Sequence, residues 1–239
     1  MSKNIVIIPT YNEKENVKLM IEKVFSLVPS FEILVVDDNS PDGTADIVTG
    51  LQAEYGDRLH LERRSGKLGL GTAYIHGFKT ALSLGADYIF EMDCDFSHNP
   101  DDLIRLFGEA EAGADMVVGS RYVIGINVIN WPLSRVLMSY GASKYVRTIL
   151  RMPINDPTAG FVCYSRKVLE TINLDKVMLK GYGFQIEMKY TAWKLGFSVK
   201  EVSIIFTDRT RGTSKMTGGI FNEAFWGVMG LRFRKIKAV

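Results

Sequence analysis

The chain is poor in cysteine. Only Cys94 and Cys163 occur among 239 residues, and neither belongs to a CxxC pair. That argues against a disulfide scaffold and a thiolate zinc site, and leaves two buried reduced thiols in a reducing compartment as the expectation. Neither sign of charge dominates. The formal net charge is +2, which argues against a general polyanion binder such as a nucleic-acid protein, so any basic function is local. No run nears the roughly 20 apolar residues of a membrane-spanning helix. The longest candidate, residues 220–231, is broken by Asn222 and Glu223. The start, Met1-Ser2-Lys3-Asn4, runs straight into an apolar strand without the charged region, apolar stretch and cleavage site of a signal peptide. Linkers, low-complexity segments and internal repeats are lacking too. With 46% apolar and 23% charged residues, residues 1–239 are expected to form one globular domain.

What is present is an alternation of short strands and helices. Ile5-Val6-Ile7-Ile8 and Ile33-Leu34-Val35-Val36 are uniformly apolar runs, the first stopped by Pro9 and the second by Asp37-Asp38. Between them, Val17, Met20, Ile21 and Val24 recur at helical spacing within residues 13–27. Helices are expected over 44–55, 72–84 and 101–112, and strands over 59–62, 88–92 and 116–119. The second half is less regular, with helices over 133–151, 184–195 and from about 219, a strand over 161–164 and an edge strand over 199–206. Uniformly apolar strands alternating with helices predict an α/β fold with a mostly parallel central sheet covered on both faces. Ligands of such sheets sit beyond the carboxyl ends of the strands. Those ends carry Pro9-Thr10-Tyr11, Asp37-Asp38 and Asp93-Cys94-Asp95.

Asp93 and Asp95 lie two apart in extended chain, so both carboxylates face one side. Their repulsion is relieved by a hard divalent ion, magnesium or manganese, which takes oxygen ligands together with substrate phosphates. A lone pair of this kind more often caps a turn; its place after a buried strand favours the metal. In the stretch Asp37 to Thr44, Pro41-Asp42-Gly43 is turn chemistry, and Ser40 or Asp42 can cap the next helix. That leaves two carboxylates ending a buried strand unexplained, and an Asp there can accept hydrogen bonds from a ribose or base. Gly66-Lys67-Leu68-Gly69-Leu70-Gly71 lacks a Walker ending and reads equally as a flexible turn or a phosphate contact at a helix start. Arg209-Thr210-Arg211-Gly212-Thr213-Ser214-Lys215 reads equally as a phosphate-binding loop or a solvated basic turn.

Together these motifs are more specific than any one of them. Tyr11-Asn12-Glu13, Asp37-Asp38, the run from Asp93 to Pro100 and Gly119-Ser120-Arg121-Tyr122 resemble, in order and spacing, the motifs of glycosyltransferase family 2. Asn130-Trp131-Pro132-Leu133-Ser134-Arg135, Asp156-Pro157-Thr158-Ala159-Gly160-Phe161 and the Arg209 to Lys215 loop are similar to segments of dolichyl-phosphate and polyprenyl-phosphate mannosyltransferases. The resemblance implies a single Rossmann-like GT-A domain, with a nucleotide-sugar half over 1–120 and an acceptor half over 121–239. It implies GDP-mannose as donor and a dolichyl or polyprenyl phosphate as acceptor. Pro9, Tyr11, Glu13, Val36 and Asp38 would surround the nucleoside. Asp93, Cys94 and Asp95 would meet the diphosphate, with Asp93, Asp95 and Ser97 holding Mg2+ or Mn2+. Ser97 stands where some relatives have Gln, a longer ligand. Arg121, Arg209 and Lys215 would contact phosphates, and Arg121 and Arg135 the acceptor phosphate.

The implied reaction needs no general base, because a lipid phosphate is already a nucleophile. Attack opposite the diphosphate would invert the anomeric centre. UDP-glucose or a UDP-N-acetylhexosamine as donor, a polysaccharide hydroxyl as acceptor, and a catalytically silent sugar-nucleotide subunit are the competing readings. Two segments can carry the chain to the cytoplasmic face of a membrane as a peripheral protein. One is residues 131–140 around Arg135. The other is the amphipathic C-terminal helix with Arg232, Arg234, Lys235 and Lys237. A membrane partner protein would serve equally, and simple packing of that helix on the core is an even alternative.

Overall fold

The computed structural model describes residues 2–179, 181–208 and 219–238. The apolar runs become β1 (Asn4–Thr10), β2 (Glu32–Asp37), β3 (Leu59–Arg63), β4 (Tyr88–Glu91) and β5 (Met116–Ser120). The second half adds β6 (Val128–Ile129), β7 (Val162–Ser165), β8 (Val199–Ser203) and β9 (Phe206–Thr207). Seven strands form one sheet in the order β3-β2-β1-β4-β7-β5-β8. All its pairs are parallel except those of β7, which runs antiparallel to both β4 and β5. Strands from both halves of the chain therefore share one sheet.

The helices are α1 (Val17–Phe25), α2 (Thr44–Tyr55), α3 (Leu70–Ser83), α4 (Asp102–Glu111), α5 (Leu133–Leu150), α6 (Arg166–Thr171), α7 (Gly181–Lys194) and α8 (Gly219–Phe233). Alternate side chains of a strand point to opposite faces, and both faces are covered. Val6 and Ile8 of β1 join a core with Met20 of α1, Val48 of α2 and Leu106 of α4. Ile5 and Ile7 join a second core with Tyr74 of α3, Leu169 of α6 and Phe184 of α7. A third, smaller cluster packs Val146 and Leu150 of α5, Ile186 and Tyr190 of α7, and Val228 and Leu231 of α8. The expected α/β architecture, with a mostly parallel sheet between helical layers, is the one observed.

Three local differences have physical causes. Helix α1 begins at Val17 rather than 13, because residues 13–16 form a turn closed by the Val17 N–H to Glu13 carbonyl bond of 2.9 Å. The edge strand expected over 199–206 breaks after Ser203. Ile204 is buried in the first core while Ile205 is exposed, and Phe206-Thr207 leaves the main sheet to pair with β6. Strands of two residues and a helix of six are too short for periodicity to reveal, so β6, β9 and α6 were not expected.

Close approach of α3 to the sheet rests on Gly77, where an added Cβ would lie 2.7 Å from Ile7 Cγ2. Ile7 is fully buried and β-branched, so it has little room to yield. Gly77→Ala is expected to destabilise the fold by about 1–3 kcal/mol. Thermal denaturation should show a lower melting temperature; an unchanged one would mean that Ile7 repacks freely.

Candidate active site

Polar residues converge where β1, β2, β4 and β5 end. After three of these ends the chain takes a left-handed turn at a non-glycine residue: Asn12 (φ 56°), Asn39 (φ 58°) and Phe96 (φ 60°). Asn adopts this conformation readily, whereas a bulky Phe is an outlier of the kind that marks functional sites.

The two aspartates ending β2 divide their work. Asp37 is structural: it accepts hydrogen bonds from the Thr10 hydroxyl (2.8 Å) and from the Ser40 N–H (2.9 Å) and hydroxyl (2.6 Å). It thereby stitches the β1 and β2 turns together. Asp42 accepts from the Thr44 N–H at 3.0 Å and the Thr44 hydroxyl at 2.6 Å, closing the turn before α2, whose N-cap is Gly43 and not the expected Ser40 or Asp42. Asp38 instead turns to Arg64, with an ion pair of 3.0 Å between nearly buried side chains. Burial raises the Asp38 pKa above the usual carboxylate value, with Arg64 opposing. The sequence did not single out Arg64; the only signal was the Arg63-Arg64 pair closing an otherwise weak strand. Lys67 of the glycine-rich loop lies 5.1 Å over the Tyr11 ring. Tyr11, Asp38 and this loop thus form one wall of the crevice. Glu13 lies beside it, its N–H on the Thr44 hydroxyl at 3.0 Å and its carboxylate accepting from Asn16 at 2.9 Å. Pro9 is half-buried in β1, while the Val36 side chain is in the second core.

At the end of β4, Asp93 is 38% exposed in its side chain, whereas Asp95 is buried at 7%. The Asp95 carboxylate accepts the Ser97 N–H at 3.0 Å. Cys94 and Ser97 are buried, and Cys94 belongs to the first core. His98 is 3% exposed and its Nδ1 accepts the Asp93 N–H at 3.2 Å. Burial pulls the His98 pKa down to about 4 against the opposing Asp95 charge, with Arg121 adding to the lowering. Beneath the strand, Gln185 links two fully buried groups: it donates to Glu91 at 2.7 Å and accepts from Lys189 at 3.0 Å. Burial pushes Glu91 up to about 8 and Lys189 down to about 8.

Arg121 follows β5 and is buried. Its Nε and Nη2 fork onto Asp156 at 2.6 and 2.7 Å, its backbone N–H adds a third bond to Asp156 at 3.0 Å, and Nη2 also donates to Thr158 at 2.8 Å. Burial opposes ionisation of Asp156, but the Arg121 charge and hydrogen bonds win and hold it below the usual carboxylate range. Arg135, in the first turn of α5, donates to both Asp208 oxygens at 2.9 Å and lies 4.0 Å over the Trp131 ring. The Arg121 guanidinium is 5.7 Å from that same ring. Three segments far apart in sequence, 130–135, 156–161 and 206–208, therefore meet at one corner. Arg209 and Lys215 lie outside the described residues.

Membrane candidates are placed as follows. Leu133, Leu137 and Met138 of α5 and Phe225, Trp226 and Phe233 of α8 are exposed, while Val228 and Leu231 pack inward. One of the four C-terminal cations is already engaged: Arg234 pairs with the buried Glu187 of α7 and also donates to the Lys176 carbonyl. Among the described residues no helix is long and apolar enough to cross a membrane.

The mostly parallel seven-stranded sheet between helical layers is the α/β fold of the GT-A type. Residues 5–172 match the glycosyl transferase family 2, and the chain belongs to that family. It is 47% identical over 233 residues to the polyprenol monophosphomannose synthase of Mycolicibacterium smegmatis, covering 95% of this chain and 88% of that one. It is 44% identical over 239 residues to the undecaprenyl-phosphate mannosyltransferase of Micrococcus luteus, covering 96% and 98%. Among solved structures, glucosyl-3-phosphoglycerate synthase from Mycobacterium tuberculosis, in complex with Mn2+, UDP-glucose and phosphoglyceric acid, superposes with a TM-score of 0.72. That match is 18% identical and covers 96% of this chain and 79% of that one, a likeness of fold.

Proposed function

We propose that the protein transfers mannose from GDP-mannose to a dolichyl or polyprenyl phosphate, with inversion, giving a β-linked polyprenyl phosphate mannose. The observation that carries this reading is the 44–47% identity, over nearly the whole chain, with two enzymes named for polyprenyl phosphate mannose transfer. In the reaction, an oxygen of the lipid phosphate bonds to the mannose C1 as the C1–O bond to the diphosphate breaks, and GDP leaves.

The residues present fit a divalent metal. Asp93, part-exposed, and Asp95, buried, offer hard oxygen donors just beyond the end of β4. A pair of carboxylates suits Mg2+ or Mn2+, which take one or two carboxylates and keep positions for phosphates and water. When bound, the ion would supply positive charge opposite the departing diphosphate. Ser97 would add a weaker oxygen. Pro9, Tyr11, Glu13, Asp38 and Val36, the last through its backbone, would line the nucleoside, with Cys94 contributing main chain to the diphosphate. Arg209 and Lys215 remain the proposed diphosphate contacts. Arg121 and Arg135 would hold the acceptor phosphate, their pairing with Asp156 and Asp208 fixing where that charge is presented.

Because the acceptor is a membrane lipid, the enzyme would act peripherally on the cytoplasmic face, with the exposed apolar residues of α5 and α8 nearest the bilayer or a membrane partner. The direct test is a panel of GDP-mannose, UDP-glucose and UDP-N-acetylhexosamine with and without polyprenyl phosphate in detergent, read by mass spectrometry. GDP release that requires the lipid phosphate, with a product heavier by one hexose, is the expected result. Turnover with a UDP-sugar alone would overturn the donor assignment. Saturable donor binding without turnover would favour a silent subunit.

A further inference from the structure

The run from Asp93 to His98 is a closed hoop. Its first residue donates its N–H to the His98 ring at 3.2 Å, and Asp95 accepts the Ser97 N–H at 3.0 Å. On its far side the Ser97 carbonyl accepts the Thr207 N–H at 3.2 Å. Phe96, at φ 60°, makes the sharp reversal that folds His98 back beneath Asp93. The imidazole cannot swing away. It stacks on Phe161 with centroids 5.0 Å apart and meets the edge of Phe206 at 5.4 Å. A buried ring clamped between two aromatics, with its Nδ1 aimed at one backbone N–H, fixes the plane of that peptide group. It thus restrains the Asp93 backbone beyond the end of β4, and the same Nδ1 lies 4.0 Å from the Asp93 carboxylate.

We propose that His98 is a positioning residue for the metal-donor site: through Nδ1 it sets the orientation of Asp93, and through its ring it ties that orientation to Phe206 and the stem leading to Asp208. The inference rests on Asp93 being a metal ligand. Groups that orient a ligand contribute to metal affinity without touching the ion. A histidine that merely filled the core would affect stability and leave the metal affinity of folded molecules unchanged.

Two substitutions separate these roles. His98→Asn puts an amide oxygen where Nδ1 stood, so the bond to the Asp93 N–H survives. His98→Gln puts it near the Nε2 position, out of reach. Both lose the ring, so packing losses are shared. Mn2+ binding to GDP-loaded protein, measured by electron paramagnetic resonance on the folded fraction, is the readout. His98→Asn is expected within about threefold of the unsubstituted protein, and His98→Gln weaker by roughly 10–100-fold. Equal losses in the two variants, or none in either, would overturn the proposal. If the unsubstituted protein binds no Mn2+ in the presence of GDP, the metal reading itself fails and this inference with it. A measurement on the unsubstituted protein guards against variants that do not fold. The 15N shifts of His98 should show Nδ1 without hydrogen and perturbed when GDP and Mg2+ are added; a hydrogen on Nδ1 would overturn the proposal.

Discussion

Asp93→Ala is expected to lower turnover by about 10²–10³-fold or more, the scale of losing a preorganised charge-stabilising element, while the melting temperature hardly changes. The two halves of this expectation have separate causes. The Asp93 side chain is 38% exposed, so its loss opens no closed cavity, and a stability cost of about 1 kcal/mol or less is expected. Its proposed task lies wholly in the reaction, where charge builds on the departing diphosphate. Asp95→Ala should be as inactive but less stable, because the buried Asp95 carboxylate also accepts the Ser97 N–H. EDTA should reproduce the loss of activity in the unsubstituted protein, and added Mn2+ or Mg2+ should restore it. Full turnover by Asp93→Ala, or in chelator with metal shown to be absent, would remove the metal from the mechanism.

Asp156→Asn is expected to be the most destabilising single polar substitution at this site, costing about 3–5 kcal/mol because it strands a buried guanidinium. At roughly 2–4 °C per kcal/mol for a chain of this size, the melting temperature should fall by about 6–20 °C. Asp156 is fully buried and takes three bonds from Arg121. The sign of the pH dependence follows. Asp156 is held below the usual carboxylate range in the folded protein, so its contribution is complete above the unfolded value near pH 4. It disappears as pH falls through the folded value. The stability difference between the unsubstituted protein and Asp156→Asn should therefore shrink as the pH falls into the acid range. Denaturant melts of both proteins at several pH values check this, and a difference that grows in acid would contradict the assignment. Lys189, pulled down to about 8, is held protonated in part by the Asp156 charge, so the acid limb alone tests the assignment.

Much of the site was legible in local sequence because the relevant signals are short in range. A four-residue apolar run between polar ends is short for a helix and suits a strand covered on both faces, whereas Asp93 and Asp95 lie beyond the end of β4, the first part-exposed and the second buried. Pro41-Asp42-Gly43 announced its turn, which Asp42 closes through its bond from the Thr44 N–H while Gly43 takes the N-cap position. The number of strands in the first half and the carboxyl-edge location of the site needed nothing more.

Pairings over long sequence separations were decided only by the tertiary structure. Arg121 lies 35 residues from Asp156, and Arg135 lies 73 from Asp208. Composition displays each as a lone cation, while the fold gives each a carboxylate partner. Val36 and Cys94 sit in apolar cores, and Arg234 is taken by Glu187, because the register of each strand and the docking of α8 on α7 choose which face meets water. The antiparallel insertion of β7 between β4 and β5 is of the same kind. Periodicity reports whether a residue is buried; it carries no information about what lies across the sheet, since that depends on chain closure over many residues. The residues at the strand ends were therefore legible in the sequence, and the partners that aim their charges were settled by topology.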